Sequence, residues 1–163
     1  MVQVQPKVCY VIMPFAEEYE RTYREAIRPA IDQVKKARGE EWLCYRADDI
    51  RVPGSITKEI VNSLYTADIV IADLTGHNPN VFYELGIVHS TRRFTIMIAP
   101  EEEQRPIDIN MYRVVLYKAS DMDKLSEDLA RAILDVLSHG KDIANPVLDF
   151  APIHLASVIL GLE

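Results

Sequence analysis

Residues Asp68 to Gly86 read DIVIADLTGHNPNVFYELG, and the two halves of this stretch decide the architecture. Asp68 to Leu74 is a continuous apolar run closed by Asp73, the pattern of a short strand buried on both faces. Asn78 stands where a side-chain oxygen caps a helix. Pro79 follows at the first helical position, where its missing N–H costs nothing. The helix so predicted runs to about Arg92. Gly86 within it is expected to let the helix approach the sheet closely.

Outward from this unit the chain alternates strand and helix. Lys7 to Pro14 (KVCYVIMP) and Trp42 to Arg46 read as strands on the amino-terminal side, Phe94 to Ala99 and Tyr112 to Lys118 as strands on the carboxyl-terminal side. Between the first two, Tyr19 to Arg38 carries apolar residues at helical spacing (Tyr23, Ala26, Ile27, Ala30, Ile31, Val34), with Pro29 as the site of a kink or break. Ser55 is a cap for a helix whose stripe is Ile56, Ile60, Val61 and Leu64. Asp121 caps a last helix with Leu125, Leu129, Ile133 and Val136 on one face. Glu101 to Asn110 is polar and contains Pro106; it is either a crossover without a full helix or a mobile loop. The pattern predicts an α/β fold, a doubly wound five-stranded parallel sheet in the order 2-1-3-4-5 with helices on both faces. Residues 1–145 form one domain in this reading. Residues 146–163 form an apolar tail with a short extra helix that packs on the domain or on a second copy.

The chain has 163 residues, enough for one domain. With 48% hydrophobic and 26% charged residues it has a globular composition, which excludes a disordered chain or a fibre. Lys plus Arg is 18 against 25 for Asp plus Glu, a net charge of −7, so a nucleic-acid polymer is not an expected partner. The six glycines are scattered, which leaves neither a GxGxxG turn nor a GxxxxGK phosphate loop. No apolar run approaches the roughly 20 residues that span a bilayer. The start lacks the pattern of a signal peptide, and a cytoplasmic location is expected. Cys9 and Cys44 sit in apolar strands and read as buried free thiols, although paired strands could make them neighbours. The four histidines lack ligand spacing, so no metal is expected.

In a doubly wound sheet a ligand binds beyond the carboxyl ends of the strands, where the strand order reverses. For the order 2-1-3-4-5 that point lies between strands one and three. Met13, Pro14 and Phe15 follow strand one, and Asp73 ends strand three. Asn78, Asn80, Tyr83 and Glu84 lie on the first turns of the next helix, with Asn80 and Glu84 on one face. Asp48 and Asp49 follow strand two, as binding acids or as a salt-bridged surface loop. Carboxylates and amides gathered with few basic groups suit a sugar-bearing ligand better than a polyphosphate. A carboxylate can attack or stabilise the oxocarbenium-like centre formed when a glycosidic bond breaks. Glu84 can equally be a solvated helix residue, and Asp73 a turn acid.

The stretch ADIVIADLTGHNPNVFYELGIVHS (Ala67 to Ser90) resembles the nucleoside 2-deoxyribosyltransferase-like superfamily and its TIR-like relatives. The likeness is to the nucleotide-binding branch with a D-L-T-x-x-N-P-N-V-x-Y-E-L-G pattern. CYVIMPFAEEY (Cys9 to Tyr19), RPID (Arg105 to Asp108) and NPVLDF (Asn145 to Phe150) extend the resemblance over nearly the whole chain. It implies a flavodoxin-like fold, a nucleoside, nucleotide or NAD-type ligand, no cofactor, and a homo-oligomer. It also implies Glu84 as nucleophile and Asp73 as the acid that binds or protonates the substrate. Two places depart from the pattern. Asn78 stands where transferases carry a sugar-binding aspartate, and an amide cannot serve as a base. Met13 to Glu18 lacks the glycine-rich phosphate loop of the related hydrolases. The activity implied is cleavage of an N-glycosidic bond by hydrolysis or transfer. The alternative is a non-catalytic nucleotide-binding module of signalling or defence that assembles on its ligand. A phosphoacceptor receiver ranks below both, because Met13-Pro14 occupies the place of its acidic pair.

Overall fold

The computed structural model describes residues 5–49, 56–91, 93–109, 112–139 and 145–150. Ser55 and the apolar tail positions Ile153, Leu155, Val158, Ile159 and Leu162 lie outside the described residues.

The described strands are β1 (Lys7–Ile12), β2 (Trp42–Arg46), β3 (Ile69–Asp73), β4 (Phe94–Pro100) and β5 (Val114–Tyr117). They form one sheet in the order β2-β1-β3-β4-β5, with every neighbouring pair parallel. β3 sits at the centre and all five of its residues are buried, as its unbroken apolar run requires. Register aligns Cys9 with both Cys44 and Ile69, and Asp73 with Ile98. The two cysteines are therefore neighbours on paired strands, and both are free thiols.

Alternation along the strands divides the core into two layers. Cys9, Val11, Met13, Ile69, Ile71, Ile96 and Ile98 face one side. Tyr10, Ile12, Val70, Ala72, Leu74, Met97 and Ala99 face the other. α1 (Glu17–Thr22), α2 (Arg28–Arg38) and α5 (Met122–His139) cover the first side, the latter two through Ala30, Ile31, Val34, Leu125, Leu129 and Ile133. α3 (Ile56–Thr66) and α4 (Pro79–Ser90) cover the second through Leu64, Val81, Leu85 and Val88. Helices on both faces of a parallel sheet are what the alternation predicts.

Pro29 produces a change of pitch rather than a break. α1 runs through a π-helical turn, Tyr23–Ile27, directly into α2, and Pro29 lies in the first turn of α2. The wider turn accommodates a residue that cannot donate to the carbonyl four positions back. Gly39 ends α2 with a φ of +65°, in the left-handed region that favours glycine. Asp121 caps α5 by accepting from the Lys124 amide at 3.1 Å. Between β4 and β5 the described residues form turns, and Ile109 from this connection packs into the second layer.

The NPVLDF stretch acts as a clasp. The Asn145 side chain accepts from the Val147 amide and donates to the buried carbonyl of His89, both at 2.9 Å. It thus starts α6 (Pro146–Phe150) and ties it to the end of α4.

Gly86 departs from its expected role. It is exposed, and a Cβ built on it meets nothing within 4 Å. Close packing does not require it, since the helix meets the sheet through Val81, Leu85 and Val88 on the other side. Gly86→Ala is therefore expected to stabilise the protein by roughly 0.5–1 kcal/mol, measured as a raised denaturation midpoint at unchanged slope.

Candidate active site

The reversal of strand order lies between β1 and β3, and the groups of interest stand at the carboxyl ends of the strands around it. Asn78 caps α4 by accepting from the Asn80 amide at 2.9 Å, and Pro79 occupies the first turn. The side chain of Asn80 is exposed, and Tyr83 is 67% exposed.

Glu84 is half-buried, and burial alone pushes its carboxyl up to about 7. Its neighbour is Tyr10, which the sequence analysis did not single out. Tyr10 is fully buried on β1, and its hydroxyl has no hydrogen-bond partner among the described residues. Burial raises the Tyr10 phenol first, and the charge of Glu84 is the largest electrostatic cause after it. The ring is held edge-on by Tyr45, with centroids 5.6 Å apart. A buried hydroxyl normally finds a partner, so this hydroxyl and the half-buried Glu84 carboxyl mark a polar spot within an otherwise apolar layer. The signal was legible in principle: Tyr10 is the one side chain with a polar tip inside Val8 to Ile12.

Asp73 occupies a different neighbourhood. It continues the side of β3 that carries Ile69 and Ile71, the side of α1, α2 and α5, whereas α4 covers the opposite side. Its Oδ1 accepts from the Thr75 amide at 3.1 Å and from the Thr75 hydroxyl. Thr75 has one hydroxyl proton, and it is spent on Asp73. Tyr117, 2.9 Å from the same oxygen, must then donate to it. Asp73 Oδ2 is buried and has no partner among the described residues. Burial pushes this carboxyl up to about 6 against the pull of the Thr75 bonds, and the charge of Glu103 adds to the rise. Glu84 and Asp73 do not figure among each other's influences. The two acids thus flank the carboxyl edge of the sheet from opposite faces.

The loop between them is backbone-strained. Gly76 has a φ of +69° and His77 a φ of +51°. Left-handed non-glycine residues cost of order 1 kcal/mol and concentrate at functional sites. The Gly76 amide donates to the Glu103 carboxylate at 3.0 Å, and a Cβ on Gly76 would lie 2.7 Å from the Tyr19 hydroxyl oxygen. Gly76→Ala is therefore expected to cost about 1–2 kcal/mol and to push Tyr19 off the loop, measured by chemical denaturation. Glu103 and Tyr19 were not singled out for the site, because only the fold brings these distant stretches of the chain against the loop.

Asp48 and Asp49 are engaged within the protein. Arg46 Nε lies 2.6 Å from an Asp48 oxygen, and the same guanidinium pairs with Glu20 and lies 4.5 Å over the Tyr23 ring. Asp49 accepts from the Tyr23 hydroxyl and the Arg46 amide, both at 3.0 Å. This is the salt-bridged loop of the two readings above, and it fastens β2 to α1. Met13 is buried in the first layer with its sulfur 3.7 Å from Arg46, and Pro14 is buried beside it. Phe15 is 59% exposed.

No family model matches the sequence, and no curated protein matches it. Solved structures do. A 2-deoxyribosyltransferase from Bacillus psychrosaccharolyticus is similar over 73% of this chain and 90% of its own, with a TM-score of 0.52 at 14% identity. A conserved protein from Enterococcus faecalis V583 is similar over 80% of this chain and 99% of its own, also with a TM-score of 0.52 at 14% identity. At such identities the likeness is one of architecture. The parallel sheet in the order 2-1-3-4-5 with its two helical layers is the fold found in a nucleoside 2-deoxyribosyltransferase.

Proposed function

We propose that this chain cleaves the N-glycosidic bond of a nucleoside, nucleotide or NAD-type substrate, with Glu84 as the nucleophile. The observation that carries the reading is the half-buried Glu84 carboxyl near the orphan hydroxyl of Tyr10, beside the reversal of strand order. A glutamate oxygen attacks C1′ of the sugar. The C1′–N bond breaks, its electron pair leaves with the base, and the base takes up a proton. Water or a second base then attacks C1′ and releases the glutamate, giving hydrolysis or transfer. Tyr10 can donate to the carboxylate or to the sugar. Asp73, with a free oxygen and a carboxyl raised to about 6, is the proposed proton donor to the base. Since the two acids flank opposite faces, the substrate spans the ends of β1 and β3. Asn78 and Asn80 are the proposed ribose contacts, and Tyr83 and Phe15 stand as exposed aromatic surface for the base.

The test is incubation with a panel of nucleosides, nucleotides and NAD, read by mass for free base. Release from at least one member supports the reading; release from none, at any pH between 5 and 8, sinks it. No helix among the described residues is long and apolar enough to cross a membrane.

One observation favours the second reading, a nucleotide-binding TIR-like module that assembles on its ligand. α4 exposes a large aromatic side chain, Tyr83, on its outer side. Light scattering on the same samples separates the two, because assembly without base release belongs to the module alone.

A further inference from the structure

A cavity opens at the amino ends of β4 and β5. Its wall includes Ile96 from the first half of β4, Val115 from β5 and Val136 from the last turns of α5, with Arg93, Arg113 and His89 around them. These are the amino-terminal halves of β4 and β5, whereas Asp73 ends β3 and Glu84 lies on α4, and neither acid lines the cavity. We propose that it is a separate binding site for a small carboxylate built on one or two rings.

Three observations carry this. The first is charge. Among the described residues neither the Arg93 nor the Arg113 guanidinium has an ion-pair partner, in a chain where acids outnumber Lys and Arg by 25 to 18. Two arginines that line one cavity can hold a carboxylate, which a guanidinium binds through parallel N–H bonds. The second is the wall. Ile96, Val115 and Val136 present hydrocarbon, with Thr95, Tyr112 and Asn145 adding a few polar groups, so a ligand with a mainly apolar body suits it. His89 is buried, and burial lowers its pKa, so the ring is neutral and adds a hydrogen-bonding group without a third charge. The third is size. The cavity volume is about 230 Å³. A cavity of roughly 150 Å³ holds benzene, and drug-sized ligands occupy about 300–1,000 Å³. A bicyclic aromatic acid fits between these limits, while a nucleotide exceeds them. The site shares no residue with the proposed catalytic machinery, and the inference stands or falls apart from the glycosidic reading.

The test is titration of the ¹⁵N-labelled full chain with 1-naphthoate and with its uncharged counterpart 1-naphthamide, followed by amide chemical shifts. 1-Naphthoate is expected to move the amides of Thr95, Met97, Val115 and Val136. The amide probe is expected to bind about tenfold more weakly, as is 1-naphthoate to Arg93→Gln/Arg113→Gln. Arg113 is exposed, so the single variant Arg113→Gln folds on physical grounds and is expected to weaken 1-naphthoate binding while leaving base release unchanged. The proposal is overturned by absence of binding at millimolar probe, by equal affinity for the two probes, or by shifts that cluster at Asn78 to Glu84.

Discussion

Glu84→Gln is expected to lower base release by about ten-thousand-fold or more, because a glutamine cannot form the glycosyl ester through which the proposed reaction runs. The variant should not be less stable. Burial raises the Glu84 carboxyl from its ordinary range to about 7, so the folded state favours the protonated acid. The stabilisation tied to that proton is present below the unfolded pKa and is lost as pH rises through about 7. A neutral glutamine escapes the loss, and thermal melts at pH 8 are expected to show Glu84→Gln at least as stable as the parent. Lost activity with an intact fold is then a chemical result. The parent should lose activity in acid, because the protonated glutamate is no nucleophile.

Asp73→Asn should separate function from stability. Asp73 is fully buried, with one carboxyl oxygen lacking a partner, and its carboxyl is pushed up to about 6. Keeping it charged at neutral pH therefore opposes folding. A rise of about two units from the ordinary aspartate value corresponds to roughly 3 kcal/mol, of which an asparagine with its own unpaired amide recovers about 2. The sign follows from the raised pKa: the favourable contribution of the protonated acid holds below about pH 4 and disappears as pH rises through about 6. The variant should melt about 2–4 °C below the parent near pH 4, where the acid is protonated, and about 4–8 °C above it at pH 8. Its activity should fall in the same experiment. If Asp73 protonates the leaving base, the parent has a bell-shaped profile bounded by about 6 and about 7, and Asp73→Asn removes the alkaline limb. An alkaline limb that persists in the variant assigns Asp73 to the architecture of the loop alone. A buried acid retained at a cost in stability is what a functional role explains.

Most of the fold was legible in the chain, because it rests on local signals of large amplitude. The unbroken apolar run at Ile69 to Ala72 implies a strand covered on both faces, and helices on both faces follow from that requirement. The caps at Asn78 and Asp121 are short-range hydrogen bonds that spacing reveals. Gly86 misled, since a glycine in a helix signals either close approach or mere tolerance, and only the outward direction of its missing Cβ distinguishes them. The site was legible in part for the same reason. Glu84 and Asp73 were singled out as candidates because each sits at a fixed offset within one continuous strand–loop–helix unit. That they lie on opposite sides of the sheet depends on strand parity against helix placement, which the linear pattern of α4 does not display. Tyr10, Tyr117 and Glu103 join the site through strand order, and strand order brings together residues that no spacing relates. Asp48 and Asp49 show the limit of reading charge from sequence: their partners Arg46 and Tyr23 decide their state, and Tyr23 comes from a helix 26 residues away from Asp49.

The most direct test of a glutamate nucleophile is to catch its ester. The full chain is incubated with a panel of nucleosides carrying 2′-fluoro-arabinose, whose fluorine slows the second step more than the first, and the protein is digested and mapped by mass. The expected result is a peptide spanning Glu84 that gains the mass of the fluorinated sugar, with the modification on Glu84 and none in Glu84→Gln. Base release from the unmodified nucleosides with no adduct at Glu84, or at an undiminished rate in Glu84→Gln, would contradict the account.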